Sequence, residues 1–311
     1  MRVLVTGAHG FVGRHLVATL QERGHEVIGA DRHAGAADAL VLDVTDPSNV
    51  RGAIELVRPD AIAHLAGQAF VPASLHDPAA TFAVNAGGTL HVLDAVRAGL
   101  EDGWRSRVLV VSSADVYGAQ PAGAYPVRET AAPMPRNPYA ASKVAAEALT
   151  LAYVRAFGVD ALVTRAFNHI GPGQDERFAA TAFAMQLARV AAGGDSVVRV
   201  GNLEASRDFL DVRDVCEAYA ALLEGGASGE IYNVCSGRAT TMRDLLRQLI
   251  TSAGVPVEVR EDPERMRPSD VPISVGDATK LRTATGWTPR IPLAASLRAV
   301  YDDARTRLVI T

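Results

Sequence analysis

Tyr139 and Lys143 stand four residues apart in Tyr139–Phe157, a segment whose apolar residues recur at helical spacing. On a helix, positions i and i+4 share a face, so phenol and ammonium project together. Lysine is scarce here: of 31 basic residues only Lys143 and Lys280 are lysines. Two lysines and seven tyrosines among 311 residues would produce this spacing by chance in roughly one chain of twenty. A free phenol ionises near ~10, so a positioned cation is needed before it exchanges protons near neutral pH. Lys143 can supply that charge and can also hold a ribose hydroxyl of a bound nucleotide. Ser113 lies in Ser112-Ser113-Ala114-Asp115-Val116-Tyr117-Gly118, at the end of an apolar run, and offers a hydroxyl to the same cleft. Phenol, cation and hydroxyl together suit reduction of a carbonyl, in which incoming hydride leaves an alkoxide that must be held and protonated.

A second group suits a dinucleotide that would carry the hydride. Gly7-Ala8-His9-Gly10-Phe11-Val12-Gly13 follows an apolar run and opens a helical one. Gly7 permits a tight turn, Gly10 lets a pyrophosphate approach the backbone, and Gly13 lets helix and strand pack closely. The amides at the helix start, around Phe11 and Val12, favour phosphate. Asp31 follows Gly13 by 18 residues, where a carboxylate can accept hydrogen bonds from the adenosine ribose. An acid there repels a 2′-phosphate and leans toward NAD(H), while Arg32 and Arg14 offset this in favour of NADP(H). Asp43, in Leu42-Asp43-Val44, either reaches the adenine or caps its own loop. Leu65-Ala66-Gly67, just after His64, ends a further apolar run with small residues that let a dinucleotide approach.

The elements needed to position these groups are legible as a pattern. Arg2–Thr6, Glu26–Ala30, Ala61–Leu65, Arg107–Ser112 and Asp160–Ala166 read as strands buried on both faces. Phe11–Arg23, Ser48–Val57, Ala80–Ala98 and Tyr139–Phe157 read as the helices between them, with Thr45 and Asp46 capping the second. Strand–helix alternation from the first residue predicts an α/β fold, a Rossmann-type doubly wound parallel sheet. After Ala166 the rhythm changes. Helices are expected near Phe178–Ala192 and Val212–Leu223, and strands at Val197–Val200 and Ile231–Val234, the last returning to the main sheet. Pro-interrupted helices then form a smaller C-terminal substrate lobe. The expected division is residues 1–168 with 203–236 for the dinucleotide, and 169–202 with 237–311 for the lobe. The loop Tyr117–Arg136 is long enough to act as a lid or ligand loop.

Composition excludes other classes. With 31 basic and 35 acidic residues and a net charge of −4, there is no electrostatic footprint for nucleic acid. Cys216 and Cys235 are widely separated and the eight histidines show no ligand spacing, so no metal site is expected. No apolar run reaches the ~18 residues of a membrane span, and Arg2 already enters a strand, leaving no room for a signal peptide. A cytoplasmic globular protein is expected.

These motifs resemble the extended short-chain dehydrogenase/reductase family over essentially the whole chain, from Val3-Leu4-Val5-Thr6-Gly7 through Asn85-Ala86-Gly87-Gly88-Thr89 to Gly286-Trp287-Thr288-Pro289. The second half resembles the family's GDP-sugar branch, its 4-keto-6-deoxy-mannose reductases more than its 4,6-dehydratases. The stretches that carry this are Phe167-Asn168-His169-Ile170-Gly171-Pro172-Gly173-Gln174, Gly201-Asn202-Leu203-Glu204-Ala205-Ser206-Arg207-Asp208-Phe209, Arg267-Pro268-Ser269-Asp270-Val271-Pro272 and Pro289-Arg290-Ile291-Pro292-Leu293. The resemblance implies a substrate site containing Ser113, Asn168, Asn202, Arg207, Arg267 and Asp270. In it Asn168, Arg207 and Arg267 would hold the diphosphate and Asp270 the nucleotide ribose. Bidentate arginine suits phosphate oxygens, although Asn168 can also cap a turn and Arg207 can pair with Asp208 or Asp211. It further implies a homodimer built on the Tyr139 helix and its neighbour.

The implied reaction is NAD(P)H-dependent reduction of the C4 ketone of GDP-4-keto-6-deoxy-D-mannose, giving GDP-D-rhamnose or its 4-epimer, GDP-6-deoxy-D-talose. The alternative is a GDP-mannose 4,6-dehydratase or nucleotide-sugar 4-epimerase with tightly bound NAD(P). Ser113 and Asp115 depart from the Thr and Glu of the dehydratases. Asp115 is one methylene shorter than the acid–base Glu, and in a reductase it would merely orient the substrate. Asp270 also departs, from a more usual Glu.

Overall fold

The computed structural model describes residues 1–33, 40–266 and 271–310. In chain order the first six strands are β1 (Arg2–Thr6), β2 (Glu26–Asp31), β3 (Leu40–Val41), β4 (Ala61–His64), β5 (Arg107–Ser113) and β6 (Ala161–Ala166). They continue with β7 (Asn168–Ile170), β8 (Val197–Val200), β9 (Ser206–Asp211), β10 (Ile231–Val234), β11 (Ala239–Thr241), β12 (Glu258–Glu261) and β13 (Ile273–Ser274). One seven-stranded sheet has the order β10-β6-β5-β4-β1-β2-β3, every neighbouring pair being parallel. The strand order reverses between β1 and β4, whose last residues Thr6 and His64 are register partners. In an open α/β sheet this reversal leaves a crevice beyond the strands' carboxyl ends, where ligands bind.

Helices cover both faces. They are α1 (Phe11–Glu22), α2 (Pro47–Val57), α3 (Val71–His76), α4 (Pro78–Phe82), α5 (Gly88–Glu101), α6 (Pro138–Phe157), α7 (Ala179–Ala191), α8 (Val212–Gly225), α9 (Met242–Ala253), α10 (Thr279–Thr285) and α11 (Leu293–Ile310). Local chemistry sets their ends. The α2 cap is Asp46 alone, its carboxylate accepting from the Ser48 and Asn49 amides, while Thr45 turns back to Asp43. At α6, Asn137 accepts from the Ala140 amide, Pro138 occupies the first turn, and Gly158 (φ +70°) ends the helix. The cap therefore places Tyr139 at the mouth of the helix, over the sheet's carboxyl edge.

The helix expected over Ala80–Ala98 is interrupted. Between α4 and α5 lies a π-helical turn, Ala83–Gly87. Gly88 there packs against Val44, whose Cγ2 would lie 2.9 Å from any added Cβ. Asn85 turns inward instead of continuing the apolar stripe. β10 returns to the main sheet beside β6, as its β-branched run suggested. The small sheet β11-β9-β13, with β7 on β9, was not legible beforehand.

Three apolar clusters organise the molecule. One lies between the sheet and α1, α8 and α10; a second lies under α2, α5 and α6 on the other face. The third joins α7, α9, α11 and β8. β9 is shared: Phe209 belongs to the third cluster and Leu210 to the first.

The Tyr117–Arg136 loop is held at its middle. Val127 accepts from Asn233 Nδ2 and the Asp277 amide, and donates its own amide to the Val275 carbonyl. Nearer its ends, the Met134 amide donates to the Val116 carbonyl. The loop is thus a fastened wall beside the crevice. Among the described residues no helix is long and apolar enough to cross a membrane.

Candidate active site

The glycine loop is built too tightly for side chains. Gly7 has φ +70°, in the left-handed region that favours glycine, and an added Cβ would lie 2.9 Å from the Ala66 amide nitrogen. At Gly13 an added Cβ would lie 2.1 Å from the Gly7 carbonyl oxygen. The Gly10 amide donates to that same carbonyl, which closes the turn. Helix α1 starts with no side-chain cap and no acid in its first turn. Its first amides are therefore left for an external anion, and the helix dipole adds to the attraction.

Asp31 ends β2 beside this loop, accepting from the His9 and Arg32 amides. Arg14 lies over the loop but is engaged with the carbonyls of His9 and Gly173. Asp43 receives the amide and hydroxyl of Thr45, which hold its carboxyl below the usual range; this is the loop-capping geometry. Val44 is buried against Gly88. Leu65 and Ala66 are tied to β1, their amides donating to the Thr6 carbonyl and hydroxyl. Gly67 brings the two halves together: an added Cβ would stand 3.0 Å from Asn85 Oδ1 and 3.4 Å from Lys143 Nζ.

A close-approach glycine turn, an uncapped helix start and a carboxylate at the end of the second strand fit an adenine dinucleotide. Gly7, Gly10, Phe11, Val12, Gly13 and Asp31 would hold its pyrophosphate and ribose.

Across the crevice, α6 lays Tyr139 and Lys143 against the end of β5. Tyr139 is 8% exposed. Burial pushes its phenol well above the ordinary range, the Asp115 carboxylate adds to this, and a hydrogen bond with Ser113 opposes it. Burial and Asp115 thus outweigh the Ser113 hydrogen bond at this phenol. Lys143 Nζ donates to the Val111 carbonyl at 2.7 Å. Burial pushes its ammonium down to about 8, against the opposing pull of Glu147. Ser113 Oγ accepts from the Asp115 amide, so the strand-end turn aims both residues at one place.

Sequence reasoning missed two members of this neighbourhood. Asn85, in the π-turn, accepts from the Gln68 amide and donates to the Gln68 carbonyl and to Ser142 Oγ. Ser142 in turn donates to the Tyr139 carbonyl, so the Gln68 loop is bound to the first turn of α6. The Gly87-Gly88 pair, which breaks the helical stripe, was the available signal. His64 donates to or accepts from the Thr6 hydroxyl, its other nitrogen is buried without a partner, and burial lowers its imidazole to about 3. It therefore stays neutral beside Lys143.

The small sheet carries the other residues expected to meet substrate. Asn168 on β7 is the register partner of Phe209, and Arg207 lies two residues before Phe209 on β9. Partners in register share a face, as do residues i and i+2, so Asn168 and Arg207 project from the same side. Asp208 and Asp211 both have partners besides Arg207. Asp208 accepts from the backbone of Ser236, Gly237 and Gly276, and Asp211 binds Arg213 and Ser296. Arg207 itself donates to the Ser206 carbonyl. Asn202, in the turn before β9, accepts from the Glu204 amide. Arg267 and Asp270 lie outside the described residues.

Residues 4–300 match the family model of GDP-mannose 4,6 dehydratases. The chain is 42% identical to the GDP-6-deoxy-D-mannose reductase of Pseudomonas aeruginosa, over 99% of this chain and 98% of that protein. Among solved structures it is similar to RMD from Pseudomonas aeruginosa complexed with NADPH, with a TM-score of 0.87 and 41% identity over 98% of this chain and 99% of that one. It is also similar to the Thermus thermophilus UDP-glucose 4-epimerase complexed with NAD, with a TM-score of 0.86 and 34% identity over 98% and 99% of the two chains. The chain belongs to the GDP-mannose 4,6 dehydratase family, within the extended short-chain dehydrogenases/reductases.

Proposed function

We propose that this chain is an NAD(P)H-dependent reductase of the C4 ketone of GDP-4-keto-6-deoxy-D-mannose, forming GDP-D-rhamnose or GDP-6-deoxy-D-talose. The observation that carries this reading is the 42% identity to a GDP-6-deoxy-D-mannose reductase along 99% of the chain. The site agrees with it: Tyr139 is hydrogen-bonded with Ser113 beside Asp115, and a reductase needs a proton donor at this point.

Reduced nicotinamide, when bound, supplies the hydride. Ser113 Oγ holds the ketone oxygen, and Tyr139 Oη gives its proton to that oxygen as it becomes anionic. Lys143 stabilises the phenolate left behind and carries the replacement proton. Asp115 orients the sugar and keeps the phenol protonated until reaction. Asn168 and Arg207 hold the diphosphate from the small sheet. Arg267 and Asp270 are assigned by motif to the diphosphate and the nucleotide ribose, and Asn202 to the substrate loop.

Asp31 leans toward NADH, since a carboxylate at the end of β2 repels a 2′-phosphate and Arg14 is engaged with the carbonyls of His9 and Gly173. A homodimer packs through α5 and α6. On α6 the apolar residues Ala148, Ala152 and Phe157 are exposed, and this strip is what a partner subunit would cover.

Mixing the enzyme with GDP-4-keto-6-deoxy-D-mannose is expected to consume reduced-nicotinamide absorbance, faster with NADH than with NADPH. No consumption with either cofactor would overturn the reductase and turn attention to Asp115 as an acid–base in bound-cofactor chemistry.

The pH profile follows from Lys143. Its ammonium, brought down to about 8, is charged below that pH and neutral above it. Turnover that needs the cation is therefore expected to fall as pH rises through about 8. A log kcat profile flat to about pH 10, the range of an ordinary lysine, would contradict this.

A further inference from the structure

Behind Tyr139 and Lys143, one turn further along the same face of α6, lies Glu147. Its carboxylate is 4% exposed and meets Arg165, 3% exposed, through two bonds: Nε to Oε1 at 2.9 Å and Nη2 to Oε2 at 2.7 Å. Ser112 Oγ donates to the same Oε1 at 2.6 Å. Ser112 and Arg165 are register partners on β5 and β6, so both reach the sheet face that α6 covers. The ring of Tyr117 closes the far side, 4.7 Å from the Arg165 guanidinium carbon.

Two ties thus join α6 to consecutive residues of β5: Lys143 to the Val111 carbonyl and Glu147 to the Ser112 hydroxyl. The residue after these is Ser113, which must meet Tyr139. A buried ion pair adds little net stability, since desolvation consumes most of its attraction, but it does fix geometry and leave a directed charge. We propose that Glu147 is a positioning residue for proton transfer: it sets the rotation of α6 that brings Tyr139 to Ser113, and it is the counter-charge that keeps Lys143 cationic against the sheet. This rests on the reading above that Tyr139 and Lys143 move the proton.

The charged and titratable groups around Lys143 are Tyr139 and Glu147 from α6, His64 from β4, Arg165 from β6 behind Glu147, and Asp115 beyond Tyr139. His64 is neutral and Arg165 permanently charged, so Glu147 is the acid whose removal acts most directly on the ammonium.

Because the chain has only two lysines, lysine-labelled protein gives two side-chain NMR signals, and Lys280→Arg identifies which belongs to Lys143. Its titration is followed in the wild type, in Glu147→Gln, and in Glu147→Gln/Arg165→Met, which leaves no unpaired buried charge should the single variant fail to fold. Lys143 is expected to titrate near 8 in the wild type and at a clearly lower pH in the single variant. The double variant should move the same way by less. In the folded variant, NAD(P)H binding should persist while kcat falls and its alkaline limb moves to lower pH by the same amount. A folded variant with an unmoved Lys143 titration and an unchanged kcat limb would overturn the proposal and leave Glu147 a purely structural residue. A wild-type enzyme that shows the Lys143 response but consumes no cofactor with the keto-sugar would overturn the reductase assignment instead.

Discussion

Tyr139→Phe is expected to lower kcat by about 10²–10⁴-fold, the usual contribution of a positioned general acid, while cofactor affinity stays within a few-fold. The phenol ring fills a site only 8% exposed, so the phenylalanine keeps the packing and deletes a single oxygen. That oxygen is the proton donor in the scheme, and the nearby hydroxyl of Ser113 cannot replace it. In the scheme Ser113 already uses its hydroxyl to hold the ketone oxygen, while its oxygen receives the Asp115 amide. Stopped-flow reduction with saturating substrate separates the chemical step from binding, and fluorescence titration reports the cofactor. A variant that turns over at the wild-type rate would remove Tyr139 from the mechanism. The phenol removed here is neutral at working pH, so the loss should be nearly independent of pH below about 8, where Lys143 is still charged.

Gly13→Ala is expected to damage both fold and cofactor site. The added methyl would lie 2.1 Å from the Gly7 carbonyl oxygen and 2.7 Å from that of Ala8. Both are backbone atoms, so no side-chain rotation relieves the clash. Either α1 moves away from the loop or the loop opens. Overpacking of this kind costs roughly 1–3 kcal/mol, visible as a lowered urea midpoint. The cofactor consequence is larger in proportion. The Gly7 carbonyl also receives the Gly10 amide, so displacing it undoes the turn that leaves the α1 amides facing outward. NAD(P)H affinity should weaken by at least about tenfold, equivalent to ~1.4 kcal/mol. Unchanged affinity in a stable variant would show that the loop tolerates the methyl and that the glycine is not required there.

What could be read in advance depended on how local each feature is. The runs that form β1, β4, β5 and β6 are short and largely apolar, and a buried parallel strand is recognisable from that alone. Tyr139 and Lys143 are a single helical turn apart, and the glycine loop is seven consecutive residues. By contrast, β9 carries Ser206, Arg207 and Asp208, which look like loop residues until β7, β11 and β13 pair with them from distant parts of the chain. The two-residue β3 has no period to detect. Asn85 was hidden inside an apparent helix, because a π-turn changes where a side chain points without changing composition much. Glu147 escaped for a similar reason: its meaning lies in Arg165 and Ser112, 18 and 35 residues away. The direction of the Tyr139 shift also depended on burial and on Asp115, neither of which Tyr-x-x-x-Lys spacing contains.

β9 has one more consequence. Its neighbouring residues Phe209 and Leu210 are planted in different apolar clusters, so the strand is common property of the core beneath the sheet and the core of α7, α9 and α11. Neither core can loosen without the other, since lifting Phe209 pulls on Leu210. Heat should therefore melt the chain as a single cooperative unit, without a lower-temperature shoulder. Whatever motion admits a sugar nucleotide must then be a small pivot about β9 that keeps both its anchors seated.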